Sequence, residues 1–555
     1  MAFPTWMAEA FSMTQAPPPD DLAEAFLLSL RRRRLVLAMA AAGMGVAACG
    51  GGGGDAGSPA PAPPPPPPSP TPPPVSGPAW WNFGRDSQHS GEGAIATQDL
   101  NRIAWSTPVD LMPQYQGETL LVHYGSPVIT SNNTVLVPVK TQATSGFRVE
   151  ARSGATGTLL WSADTDYAVP AHHWMPGFHL ALSRSNRLFV PGAGGKVYVR
   201  DAADSAQGAL QPLVFYGSAA YAAASAQLDA AVFINTPITV DAAGNAFFGF
   251  VANAGNPAGL VSGFARIGAD GQGRWIAAAD VSGDASVVKP AMNCAPALSP
   301  DLATVYVLAN AVSAGWSQHG VLVALDSTTL APRARVALLD PQTGDKAQVS
   351  DDSTASPTIG TDGDVYIGVL ESSQGQHNYR GWLLHFDSTL ATTKVPGSFG
   401  WDDTASLVPA SIVGGYTGSS SYLLAVKYNN YLNAGTGDGL NRMAVLDPNA
   451  TQTDPISGVP VMREVITVLG VTPENPGSAA VKEWCVNTVA VDPLTHSLLV
   501  NSEDGVLYRW DLATNTLSQR IRLTGGLGEA YTPTAIGADG AVYAINRSVL
   551  FSIAG

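Results

Sequence analysis

One phrase recurs along this chain: a small residue and a proline, a short apolar strand, a turn rich in Asp, Asn or Gly, and a Val-Tyr-type strand. It reads SPVITSNNTVLV at 126–137, TPITVDAAGNAFF at 236–248, APALSPDLATVYV at 295–307, SPTIGTDGDVYI at 356–367 and TPTAIGADGAVY at 532–543. Degenerate copies are HLALSRSNRLFV (179–190), SLVPASIVGGYTGSSSYLLAV (406–426) and NTVAVDPLTHSLLV (487–500). Pro127, Pro237, Pro296, Pro357 and Pro533 stand 110, 59, 61 and 176 residues apart, or two, one, one and three units of 55 to 61 residues. The degenerate copies fall where units are missing, so the chain carries eight. A fixed period of this kind is the mark of a repeat architecture, because one unit cannot bury its own apolar face.

Each unit continues into a third and often a fourth strand, most clearly in FRVEARSGATGTLLW (147–161). Four antiparallel strands repeated radially make a β-propeller. Asp-Gly at 362–363 and 539–540 suits tight hairpins. After Pro533 there is room for three strands and no fourth. The run NRIAWSTPVD (101–110) supplies the missing one, which would close the ring without an open sheet edge. The expected fold is therefore all-β: a single eight-bladed propeller over residues 80–555, its last blade completed by an N-terminal strand.

Ahead of the body the chain reads as an address and a tether. Arg31–Arg34 precede LVLAMAAAGMGVAA, which ends in Val46-Ala47-Ala48-Cys49. This apolar run is too short for a stable bilayer anchor. Charge, apolar core, small residues and Cys in that order resemble the lipobox of bacterial lipoproteins. The resemblance implies cleavage after residue 48 and acylation of Cys49, and Gly50 at the next position leans towards the outer membrane. Residues 50–78 hold 13 prolines among 29 residues. Such a run favours polyproline II and builds no core; Pro59–Pro74 would span about 50 Å. The expected domains are thus 1–48, extension and signal; 49–79, acylated Cys and tether; and 80–555, propeller.

Charge narrows the partners. The chain carries 29 Lys+Arg against 44 Asp+Glu, a net −15. Residues 1–48 hold four Arg and four acids, so their loss leaves this balance unchanged. A polyanion such as nucleic acid is a poor match for it.

The body also resembles the quinoprotein-like propeller repeat family, named for binding pyrroloquinoline quinone (PQQ). The entry phrase WWNFGRDSQHSG (80–91) carries the likeness, with the recurring small-Pro strand and Ala151, Thr156, Gly157 and Trp161 in ARSGATGTLLW. Ser153 replaces the usual Asp of this blade-docking motif. The resemblance implies that Trp161 stacks between blades and that Gly157 permits a tight turn. It identifies fold rather than chemistry. In fold and address the chain also resembles the propeller lipoproteins of outer-membrane barrel assembly.

In a propeller, the loop before each innermost strand and the loop between strands two and three line one face of the central channel. Residues shortly before each Pro-equivalent should therefore gather there. They are His123 in blade 1, His172 and His173 in blade 2, Asp352 in blade 5, Asp402 and Asp403 in blade 6, Glu483 and Trp484 in blade 7, and Glu529 in blade 8. An acidic arc with histidines beside it suits a cation, a basic segment or a hydroxylated ligand, or simply forms a solvated rim. The long loops 313–320, 372–382 and 428–441 carry Trp, Tyr, His, Asn and Gln. Such side chains suit sugars or a protein interface.

No GxSxG elbow, HExxH, Walker loop or CxxC is present. Cys294 and Cys485 sit three blades apart, too far for a disulfide, whose Cα atoms lie within about 7 Å. Quinoprotein dehydrogenases carry an adjacent Cys pair near the cofactor, and this chain has none. The reading is a non-catalytic, lipid-anchored envelope scaffold with a protein or glycan partner at the propeller face, no nucleic acid, no metal and no expected cofactor. The alternative is a quinoprotein-type oxidoreductase using PQQ with calcium, or a glycan-acting enzyme, with its site at the channel mouth.

Overall fold

The computed structural model describes residues 77–555 except 117–118, 312–317, 374 and 526–531. Cys49, the tether as far as residue 76, and Glu529 lie outside the described residues. Tyr115–Thr119 falls outside the compact unit formed by the rest of the described chain.

Eight small antiparallel sheets form the eight blades of a propeller. Their innermost strands are short: Val128–Ile129, Ala181–Leu182, Thr239–Val240, Ala297–Leu298, Thr358–Ile359, Ser406–Pro409, Ala490–Asp492 and Ala535–Ile536. Blade 1 continues outwards through Thr134–Lys140, Phe147–Ser153 and Leu159–Thr165. The second strand Thr134–Lys140 is buried throughout, while Leu159–Thr165 alternates with solvent, as an inner strand packed on both faces and an outer strand should. Blade 5 departs from the four-strand pattern. Its sheet has three strands, and isolated bridges at Leu383–Gly397 and Phe386–Thr393 stand where the fourth would be. The only helices among the described residues with an α pitch are three short ones at Ser218–Ala223, Ser225–Asp229 and Ala278–Ser282.

Closure follows the expected route. Arg102–Pro108 pairs antiparallel with Val549–Ala554, from Arg102 opposite Ala554 to Pro108 opposite Val549. Trp105 on that strand donates its Nε1–H to the Gly154 carbonyl of blade 1 at 2.7 Å. A Cβ at Gly157 would lie 2.6 Å from the Trp105 ring, and Gly157 has φ +70°, so glycine is required both for the turn and for the stacking. Trp161 repeats the device one blade on, donating to the Ala203 carbonyl of blade 2 at 2.8 Å with Arg200 over its ring. Ala151 is fully buried in the neighbouring strand Phe147–Ser153.

The entry phrase does something its sequence did not disclose. With the residues that follow it as far as Gln98, it circles the floor of the channel and bonds to each blade in turn. Ile129 (blade 1) donates to the Trp80 carbonyl and Leu182 (blade 2) to Trp81. The Asn82 amide brackets Val240 (blade 3) with bonds of 2.8 and 2.9 Å. Leu298, Ile359, Leu407 and Val491 (blades 4 to 7) donate to Ser87, Gln88, Ser90 and Gly91, and Gln98 donates to Gly540 of blade 8. The inner edge of every blade is an unpaired sheet edge, and this belt satisfies backbone groups there that would otherwise be buried without partners.

Candidate functional site

The opposite end of the channel, the mouth, is built from the loops that precede the innermost strands. The residues gathered there are largely buried, not a solvated rim: His123, Asp352, Asp402 and Asp403 are all under 9% exposed. Blade 5 reaches across the channel. The Asp352 carboxylate accepts from His173 Nδ1 at 2.7 Å and from the Trp174 amide at 3.1 Å, both in blade 2. The Asp352 carbonyl accepts from His123 Nε2 of blade 1 at 3.1 Å, and the His123 ring stacks on Trp174. Blade 4 adds a second crossing, with the Asn293 side-chain oxygen accepting from the Gly177 amide at 3.1 Å.

Beside this crossing stands the blade 6 pair. Asp402 accepts from the Thr354 amide and hydroxyl at 2.7 and 2.6 Å, and Asp403 accepts from the Lys427 amide at 3.2 Å. The Lys427 ammonium lies 3.8 Å from Asp402. Burial holds the Asp403 carboxyl well above the usual carboxylate range, against the nearby Lys427 charge. Burial likewise lowers the His123 pKa, although Asp402 and Asp352 pull the other way. The hydrogen bond to Asp352 raises that of His173. Deeper in the channel, burial pushes His179 down to about 3 and His89 down to about 4. Phe83 of the belt stands edge-on to both rings. Burial thus favours the neutral form of His89, His123 and His179.

Other expected rim residues lie elsewhere. His172 bonds the Pro170 carbonyl in its own loop. Glu483 is half-buried, and its amide donates to Glu503. Trp484 is core: 1% exposed, it donates to the Asn441 carbonyl and packs edge-on to Tyr508. A large apolar ring at the start of a blade gains more from the seam between blades than from the channel. The loop 372–382 is tied inward: the Glu371 carboxylate accepts from the amides of Gly375, Tyr379 and Gly381, and His377 lies flat on Trp382. Residues that sequence reasoning missed include Lys427, Asn293 and the belt. Lys427 sits at the end of a second strand, where the recurring phrase gives no signal.

The family resemblance implies a quinone held with a divalent cation, and the residues present do not fit that group. Lys427 already supplies the positive charge beside Asp402 and Asp403, and both Asp352 oxygens are engaged by blade 2. Among the described residues no group of three or more His, Cys, Asp or Glu is placed to hold a metal ion. Cys294 and Cys485 are buried thiols rather than a disulfide.

A scan against protein-family models finds no match, and a search of curated proteins finds none. Solved structures do match. A europium-containing methanol dehydrogenase superposes with a TM-score of 0.50 at 11% identity, over 84% of this chain and 89% of that one. The quinohemoprotein alcohol dehydrogenase ADHIIG from Pseudomonas putida HK5 gives 0.47 at 12% identity, over 86% and 76%. That from Comamonas testosteroni gives 0.39 at 12% identity, over 85% and 70%. At 11% identity the likeness to the methanol dehydrogenase is one of fold alone.

Proposed function

We propose that the protein is a lipid-anchored envelope protein whose propeller is a non-catalytic binding scaffold, presenting its mouth-side loops to a protein or glycan partner. The observation that supports this reading is where large apolar side chains meet water. Among the described residues, six of the eleven such side chains, Leu111, Met112, Val261, Leu339, Leu432 and Val471, lie on mouth-side loops of the compact unit. On the opposite face, among the described residues, Leu494 alone occupies a turn. Single exposed apolar residues are ordinary. Their concentration on one face is what a recognition surface with apolar anchors and a polar surround requires. The inner mouth, by contrast, has its charged groups engaged with one another. In the same proposal Cys49 carries the acyl anchor and the outer membrane is the address.

The test uses the full chain in its native envelope, with a photo-crosslinking side chain at Leu432, Val471 or Leu494. Partner adducts at the first two and none at Leu494 support the reading; equal labelling at all three, or at none, overturns it. Cys49→Ser should release the chain from membranes. The second reading, an oxidoreductase, rests on the shared fold. Dye reduction with alcohols on adding PQQ and Ca²⁺ to the purified chain would replace the scaffold proposal with that one.

A further inference from the structure

The segment Ser350–Thr354 is held differently along its length. Asp351 is fixed to blade 4 by buried bonds: Lys289 Nζ donates to its two oxygens at 2.8 and 2.6 Å, Asn310 Nδ2 at 2.9 Å and the Met292 amide at 3.1 Å. Thr354 is fixed to Asp402 of blade 6 by two bonds. Between these anchors, the Asp352 side chain is joined to the far side of the channel by the His173 ion pair and the Trp174 amide. The His173 side chain is 40% exposed, so this attachment alone opens onto solvent. Underneath lies a small cavity walled by Met292, Cys294, Ser350, Ser353, Ala355 and Trp401.

We propose that Ser350–Thr354 is a strap across the channel mouth, hinged at Asp351 and Thr354 and latched by Asp352 onto blade 2. Releasing the latch uncovers the cavity that Cys294, Ser350 and Ser353 line. The proposal goes beyond the scaffold reading, since it concerns the inner mouth whatever the outer loops bind. Among the described residues, these groups face the latch. His173 faces Asp352; Asp352 faces His173 and His123; His123 in turn faces Asp402, Lys427 and His179. Because the His173 pKa is raised in the folded chain, its charge strengthens the latch below its ordinary value of 6.5, and that contribution is lost as pH rises through the raised value.

Cys294, 5% exposed and beneath the strap, is a native reporter. Full-length wild type, Asp352→Asn and His173→Ala would be exposed to N-ethylmaleimide from pH 6 to 8.5. The rate would be read by mass spectrometry at the Cys294 peptide, so that other cysteines do not interfere. At pH 6 Asp352→Asn should label about ten-fold faster than wild type, the scale of a lost charge-assisted hydrogen bond, and His173→Ala about two- to five-fold faster. The variant-to-wild-type ratio, from which the thiol's own ionisation cancels, should shrink towards pH 8.5. Equal rates in all three chains would overturn the strap; a ratio that does not change with pH would overturn His173 as its latch. His173→Ala, at a half-exposed position, carries the test should Asp352→Asn fail to fold.

Discussion

The two ends of the channel are closed by different chemistry. The floor is closed by main chain: the belt from Ala79 to Gln98 exchanges mostly backbone bonds with eight blades. The mouth is closed by side chains: an Asp, two His and an Asn from four blades meet across the axis. Backbone bonds between amides do not titrate and depend little on side-chain identity, so the floor behaves as one permanent fixture. Side-chain bonds between ionisable groups change with pH and with single substitutions, so the mouth is the end that can respond. A ring built of repeats needs one fixed closure to hold its blades, and it can then leave the other end variable.

The sharpest way to break this comparison is at Gly91. A Cβ there would lie 2.6 Å from Ser406 Oγ and 2.9 Å from the Val489 carbonyl, on a backbone of φ +67°. Gly91→Val should cost more than about 3 kcal/mol, combining backbone strain with a steric clash, seen as a large fall in the denaturation midpoint. Trp105→Ala, which opens the seam where the ring closes, should cost about 3 kcal/mol in the same measurement. Neither loss should vary between pH 6 and 8, as no titrating group is involved.

Mouth substitutions should be smaller and should vary with pH. His173→Ala should cost about 0.5–1 kcal/mol at pH 6, a value discounted for the solvent exposure of the imidazole. The sign follows from the raised pKa: the loss is full below about pH 6.5, the free-histidine range, and fades as pH rises. Asp403→Asn should be comparable in size and opposite in sense. A carboxyl whose folded pKa is raised contributes stability only below its unfolded pKa near 3.8 and loses it as pH rises through the folded value. An amide in its place should match wild type near pH 4 and exceed it by about 1 kcal/mol at pH 8. Comparing denaturation midpoints at the two pH values would show this, and a pH-independent loss would mean that Asp403 is ionised at the mouth.

Legibility differed between these regions as well. The mouth gathering could be foreseen because His123, Asp352, Asp402 and Asp403 stand about four or five places before a Pro-equivalent position, with His173 slightly earlier, and the repeat turns similar offsets into neighbouring positions. The same rule placed Trp484 at the mouth, where the structure buries it between blades; an offset locates a backbone position but not the direction in which a side chain packs. The belt had a recognisable sequence, yet its path could not be read, since its partners lie up to hundreds of residues away, as in the bond from Asn82 to Val240.

The spacing of the prolines and the Trp-bearing strand before blade 1 were enough to determine eight blades and their closure, because period and strand count are local properties summed along the chain. What the channel became was decided only by the tertiary structure. Whether an acid at the mouth meets water, a histidine from blade 2 or a lysine from its own blade depends on distances across the ring. Those distances are set by packing between residues far apart in sequence, and so are the burial and pKa shifts that follow from them.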